Sequence, residues 1–221
     1  MKDGTLNQAS KILSVFEDAP REQIQAILAK GLLVDLRDGN VDEVKRDDFR
    51  KLLGLKPLNP PLLEPLGTVT IAATAEHFVA SEKFVVYTSR KAKVKIAWLG
   101  SNFQEWFLGK TETPAPEVTL KYGKLTCYAL DEEIRKEIGA ERDETTLAEI
   151  YSLMERQANG KQGVLLTNGW ANIFYVRDAN GVLRAVDVRW RVYDGGWSVV
   201  ARSVSYPFWW RDGYRVFSCN S

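Results

Sequence analysis

The chain has 221 residues, 30 Lys and Arg against 29 Asp and Glu, and 45% hydrophobic residues, a size suited to one medium or two small globular domains. That composition excludes a collagen-like or disordered polymer, and two cysteines in so long a chain exclude a disulfide framework. No apolar run approaches the roughly 18 residues of a membrane span, and Met1 to Gln8 lack a basic region followed by an apolar stretch. A soluble protein of the reducing cytoplasm is therefore expected, with no membrane contact.

The first 55 residues read as short helices. Around Ile12, Leu13, Val15 and Phe16 a turn or two is expected. Pro20 opens a helix carrying Ile24, Ile27 and Leu28, and Gly31 stands where a left-handed residue would end it. Phe49, Leu52 and Leu53 mark another helix, with Asp47 or Asp48 as N-cap and Gly54 as stop. Pro57, Pro60, Pro61 and Pro65 crowd the next stretch and oppose both helix and central strand, so residues 57–66 read as a connector between a helical unit at 1–56 and a larger domain at 67–221.

Beyond the connector the period becomes two. Strands are predicted at Thr68 to Ile71, Phe84 to Tyr87, Lys91 to Trp98 and Val118 to Cys127. Residues 146–158 are predicted as the firmest helix, because Thr146 and Glu149 have capping-box spacing and Leu147, Ile150, Met154 and Ala158 share a face. Three strands follow, about Ala171 to Arg177, Val182 to Tyr193 and Trp197 to Val204, with a last one near Tyr214 to Phe217. Turn residues at Asp178 to Gly181 and Asp194 to Gly196 connect the three as an antiparallel meander. An Asp194-Gly195 turn would place Val192 opposite Trp197, Trp190 opposite Val199 and Val188 opposite Ala201 on the helix side, and send Asp187, Arg189, Arg191, Ser198 and Arg202 outward. The first hairpin admits either a type I turn with a Gly181 bulge or an Asn180-Gly181 turn. The fold class is thus α+β: a small amino-terminal helical unit, then an antiparallel meander packed on a helix.

Catalytic patterns are sparse. His77 is the single histidine, so a Cys127–His77 pair is conceivable only if folding joins them; a strand-flanking His and a thiol within a strand is the plainer reading. Gly109-Lys110-Thr111 matches the end of a phosphate-binding loop, but Gln104 replaces the earlier glycine and Trp106, Phe107 and Leu108 fill its cradle. An EF-hand register on Gly39 puts Val34, Leu36 and Lys45 at ligand positions, which rejects calcium. Asp131, Glu132, Glu133, Glu137, Glu141, Asp143 and Glu144 could serve a carboxylate-dependent hydrolase, yet nothing marks a pair as buried and a solvated face accounts for them. Neither cofactor nor metal is called for.

Two surfaces remain. Arg90, Lys91, Lys93 and Lys95 put four cations within six residues; on a strand they would either contact the phosphates of a nucleic acid or guard an edge against pairing. Residues 161–221 carry 8 basic and 4 acidic groups where residues 131–160 carry 4 and 9, so two complementary faces or an anion site are both open. The tail also holds 12 of the 24 aromatic rings. Adjacent Trp209 and Trp210 cannot point the same way, so the segment with Tyr206 and Tyr214 is either a plug for the end of the sheet or a platform on which a ligand stacks.

Phe84-Val85-Val86, Lys93-Val94-Lys95-Ile96, Asn102-Phe103, Trp106-Phe107-Leu108-Gly109-Lys110 and Asn172 to Asp178 resemble, over most of the chain, an uncharacterised group of bacterial hypothetical proteins from reduced candidate-phylum genomes. The resemblance implies a bacterial origin and carries no activity, cofactor or site residue. From the residues themselves the expected function is a non-enzymatic cytoplasmic binding or assembly protein. Its contact surface would be the carboxy-terminal sheet with Tyr206, Trp209, Trp210 and Tyr214, and its partner a protein or peptide. A nucleic-acid module using Arg90 to Lys95 and a carboxylate hydrolase are the alternatives.

Overall fold

The computed structural model describes residues 6–58, 60–139 and 141–219; the start of the chain read above for a leader lies outside them up to Thr5. The chain divides into two compact units, Met1–Asn59 and Pro60–Ser221. In the first, helices α1 (Leu6–Ser14), α2 (Arg21–Ala29), α3 (Leu32–Asp38) and α4 (Arg46–Leu52) are each under three turns long. α4 ends as its glycine predicts: the Gly54 N–H donates to the Lys51 carbonyl and the Leu55 N–H to that of Arg50, a Schellman closure. Asp47 does not cap α4; its carboxylate accepts the Leu58 N–H. None of residues 6–58 is buried.

The second unit contains β1 (Leu63–Ile71), β2 (Phe78–Val79), α5 (Ala80–Lys83), β3 (Ile96–Leu99), α6 (Ser101–Phe107), β4 (Thr111–Glu112), β5 (Val118–Leu125), α7 (Asp131–Ile138), β6 (Glu144–Thr145), α8 (Leu147–Arg156), β7 (Asn172–Arg177), β8 (Leu183–Arg191), β9 (Gly196–Ser203) and β10 (Arg215–Cys219). β1 begins inside the predicted connector, and Pro65 is tolerated there because β1 is an edge strand whose outer N–H groups need no partner. The large sheet runs β1-β5-β10-β7-β8-β9-β3 with β6 also against β7, and β2 pairs β4 separately.

β7, β8 and β9 form the expected antiparallel meander, and the first hairpin takes the bulged option: the Gly181 N–H donates to Asp178 and Asp178 pairs with Val182 across the turn. The second hairpin is two residues out of the predicted register, with Trp190 opposite Trp197 and Val188 opposite Val199, because its loop spans Val192 to Gly195. An even slip preserves faces, so the apolar set still points to α8. β10 on β7, β6 on β7 and β3 on β9 are parallel additions to the meander.

Both faces of the sheet are covered. One carries Phe174, Val186, Val188, Trp197 and Phe217 against α6 and α8. The other carries Ile173, Tyr175, Ala185 and Val216 against Ile134 of α7 and against Trp210 and Tyr214. That is why Ile173, Phe174, Tyr175 and Val176 are consecutively apolar or aromatic: alternate residues enter different cores. α8 starts as predicted, with Thr146 accepting the Glu149 N–H and Glu149 accepting that of Thr146. Glu112 adds a second cap, its carboxylate accepting the N–H groups of Leu147 and Ala148 at 3.0 and 2.9 Å. Phe84 to Tyr87 is not a strand; α5 ends at Lys83, the Phe84 ring enters the first core and only Tyr87 bridges to Ile96.

Candidate functional site

The segment from Val204 to Tyr214 joins β9 to β10 and packs on the second face of the sheet. Its hold is made by main chain first. Trp210 and Ala129 exchange N–H to carbonyl bonds at 2.8 and 3.1 Å, and the Gly213 N–H donates to Leu125 at 2.8 Å. Gly213 has φ +83, and a Cβ there would fall within 1.9 Å of the Trp170 ring, so this closing turn requires glycine.

Side chains complete the clamp. The Trp210 ring is fully buried, and its Nε1–H donates to Asp131 Oδ1 at 2.8 Å. The Tyr175 hydroxyl donates to the same oxygen at 2.8 Å, while Asp131 Oδ2 has no donor among the described residues. Phe208 meets Trp210 edge-on at 4.8 Å, and the Arg202 guanidinium lies 4.2 Å over Phe208. Beneath, Asp187 is fully buried and accepts from Arg189 Nε at 2.7 Å, with Arg202 Nε 3.6 Å from its other oxygen. Asp187 and Ser198 are therefore buried and Arg189 and Arg202 only partly exposed, where the sequence suggested an outward face; the aromatic segment lies over both arginines through Tyr214 and Phe208.

The predicted ligand residues separate accordingly. Trp210 and Tyr214 are buried anchors and cannot stack on a ligand. Tyr206 and Trp209 are 64% and 54% exposed. Two residues on from Trp209, Arg211 donates to the Tyr128 hydroxyl at 3.2 Å, and Tyr128 is itself half-exposed. Sequence adjacency of two Trp residues required the rings to point apart; what it lacked was Asp131, 79 positions away, whose bond holds the Trp210 ring inside.

Burial raises the Asp131 carboxyl above its ordinary 3.8, opposed by the bonds from Trp210 and Tyr175. A raised folded-state value means that the group favours the fold below the ordinary range and that this contribution is lost as pH climbs through the raised value. Asp131→Asn keeps the Oδ1 acceptor and removes the charge. Urea midpoints are expected to be similar for the two proteins near pH 3.5 and to diverge in favour of the variant as pH rises; a gap that does not grow with pH would contradict this.

The lysine row is not a strand. The Ser89 hydroxyl accepts the Lys91 N–H and the Ser89 carbonyl that of Ala92, closing a turn that keeps Arg90 to Lys95 out of β3. Arg90, Lys91 and Lys93 are exposed, Lys95 is half-buried, and Lys93 pairs with Glu155 at 2.7 Å. Of the acidic run, Asp143 is buried against Arg135 at 2.5 Å, Glu133 caps α7 at Leu130, Glu144 pairs with Arg177, and Glu132, Glu137 and Glu141 are exposed. Asp131 and Asp143, the buried members, each bond internal partners through one oxygen, and the other oxygen of each has no donor among the described residues. His77 stands beside the small sheet and Cys127 after β5 of the large one, both exposed. Lys110 belongs to no phosphate loop; its ammonium donates to the Arg177 carbonyl at 2.6 Å and pairs with Glu112. Among the described residues no group of three or more His, Cys, Asp or Glu is placed to hold a metal, and no helix is long and apolar enough to cross a membrane.

Compared with protein-family models, curated proteins and solved structures, the chain matches none.

Proposed function

We propose that this is a binding or assembly protein of the cytoplasm without catalytic chemistry of its own, and that it meets a protein or peptide partner through Trp209 and Tyr206, together with Arg211 and the Tyr128 that it bonds. The observation that carries the reading is the pairing of opposites at adjacent positions: Trp210 is fully buried and bonded to Asp131, while Trp209 leaves more than half its surface in solvent. A large ring on an irregular segment normally costs ordering entropy when it binds; here the neighbouring anchor has already fixed the backbone. Trp, Tyr and Arg are also the residues that dominate contact energy in protein interfaces.

The test is a partner cross-linked to the wild-type chain in cells and then titrated in purified form. Trp209→Ala should weaken that partner about 30-fold, the ~2 kcal/mol of an interface hot spot, while shifting the unfolding midpoint little because the ring is exposed. Lys91→Ala should leave the affinity as it is. A partner retained by Trp209→Ala, or lost with Lys91→Ala and steeply weakened by salt, would overturn the reading, the second result in favour of a nucleic acid.

A further inference from the structure

Beyond the last turn of α7, the second face of the sheet carries a cleft of about 370 Å³ across β1, β5 and β10, within the roughly 300–1,000 Å³ range of small-molecule sites. Its floor is low because Gly123 of β5 stands between Pro65 of β1 and Val216 of β10 and supplies no side chain. A Cβ at that position would meet the Glu64 carbonyl oxygen at 3.1 Å, a tight approach that β1 would have to relieve by a few tenths of an ångström. Val216 and Ile138 add apolar wall, the first of them buried.

Charge over this floor is uneven. Lys121 lies two residues from Gly123 along β5, hence on the same face, opposite Thr68 and Ser218. It is exposed and has no ion-pair partner among the described residues. Arg142 lines the other side, held in place because its carbonyl accepts the Cys219 N–H at 2.9 Å; its guanidinium has only Glu141, at 3.8 Å. Among the described residues Glu137 is the one carboxylate lining the cleft, against these two cations. The Cys219 thiol at the edge donates to the Glu144 carbonyl at 3.0 Å, and burial pushes it up to about 11, so it stays protonated and the cleft has no nucleophile there.

We infer that this cleft binds a small carboxylate with an apolar body, its hydrocarbon on Gly123, Val216 and Ile138 and its charge at Lys121 and Arg142. Two cations above an apolar floor complement that pairing, whereas a neutral molecule of the same shape would gain no charge contact with Lys121, the cation of the two without an ion pair among the described residues. The site is separate from the Trp209 surface and does not depend on it.

The probes are 4-phenylbutyrate and its uncharged amide, titrated into the full chain with amide shifts followed by NMR. The carboxylate should saturate and move the Gly123 and Ser218 signals, and the amide should bind about 10-fold more weakly, a difference of ~1.4 kcal/mol. Lys121→Gln and Arg142→Gln should each weaken the carboxylate several-fold. Glu137→Gln should tighten it, since it removes the like charge. Equal binding of acid and amide, affinities unmoved by all three substitutions, shifts confined to another face, or no saturation by about 10 mM, where a site would be weaker than fragment affinity, would each overturn the inference.

Discussion

Replacing Trp210 by Ala is expected to cost about 3–5 kcal/mol of folding stability, the range for emptying a buried aromatic site. The ring is fully enclosed, it contacts Phe208 and Tyr214 edge-on, and its N–H is one of two donors to Asp131. Against a typical total of about 5–15 kcal/mol, such a loss is large enough to bring the unit near its unfolding threshold. Trp210→Phe separates the two contributions: it keeps most of the packing and removes the donor, so about 1–3 kcal/mol is expected. Denaturant unfolding followed by circular dichroism reads both. A Trp210→Ala cost near zero, or one exceeded by Trp209→Ala, would mean that the segment is not anchored through this ring.

The second large effect is at Asp187. It sits at the middle of β8 with no exposure, between Arg189 at 2.7 Å and Arg202 at 3.6 Å, whose side chains are themselves only 27% and 30% exposed. Asp187→Ala therefore removes the shared carboxylate and leaves two guanidinium groups beneath the aromatic segment, for which about 3–5 kcal/mol is expected. Arg202→Ala should cost less, because Asp187 keeps Arg189 and what is lost is the contact over Phe208. The ordering, Asp187→Ala more damaging than Arg202→Ala in the same urea series, is the checkable outcome. A reversed order would place the burden on the cation–π contact instead of the ion pair.

Those two expectations arise from the face that sequence patterning described least well. β8 and β9 were legible as a hairpin, and the parity of their faces survived a wrong loop length, because alternation is insensitive to a two-residue slip. α8 was legible to within two residues, since Thr146, Glu149 and the Leu147-Ile150-Met154 stripe are local signals. What covers Asp187 was not. α7 brings Asp131 and two apolar residues, Ile134 and Ile138, to that face from an otherwise charged helix, and the remainder of the cover is an irregular segment with no period to read. An alternating polar set on a strand then looks like a solvent face when it is a buried ionic layer. The lysine row failed for the opposite reason: the alternation from Lys91 to Trp98 is real in the sequence, but a hydroxyl at Ser89 offers the backbone a turn before pairing begins at Ile96. The parallel pairs of β10 and β6 on β7 and of β3 on β9 join residues too far apart to leave any local mark.

For the candidate site, the adjacency of Trp209 and Trp210 was the useful signal, and it framed the alternatives of plug and platform. The structure divides burial and exposure between neighbours. Tyr214 and Trp210 close the sheet face, and Tyr206 and Trp209 are what the closure leaves outside. The cleft near Gly123 gave no signal in the sequence, because its floor is made by a missing side chain and its two cations come from β5 and from the loop after α7.

Indole N–H exchange, followed by ¹⁵N–¹H NMR with the two signals assigned by single Trp→Phe substitutions, tests the anchored-and-presented pair most directly. The Trp210 signal is expected to persist long after transfer to D₂O because its proton is shared with a buried carboxylate, and the Trp209 signal to vanish within the dead time. Equal exchange of the two, or protection of Trp209 alone, would contradict the account.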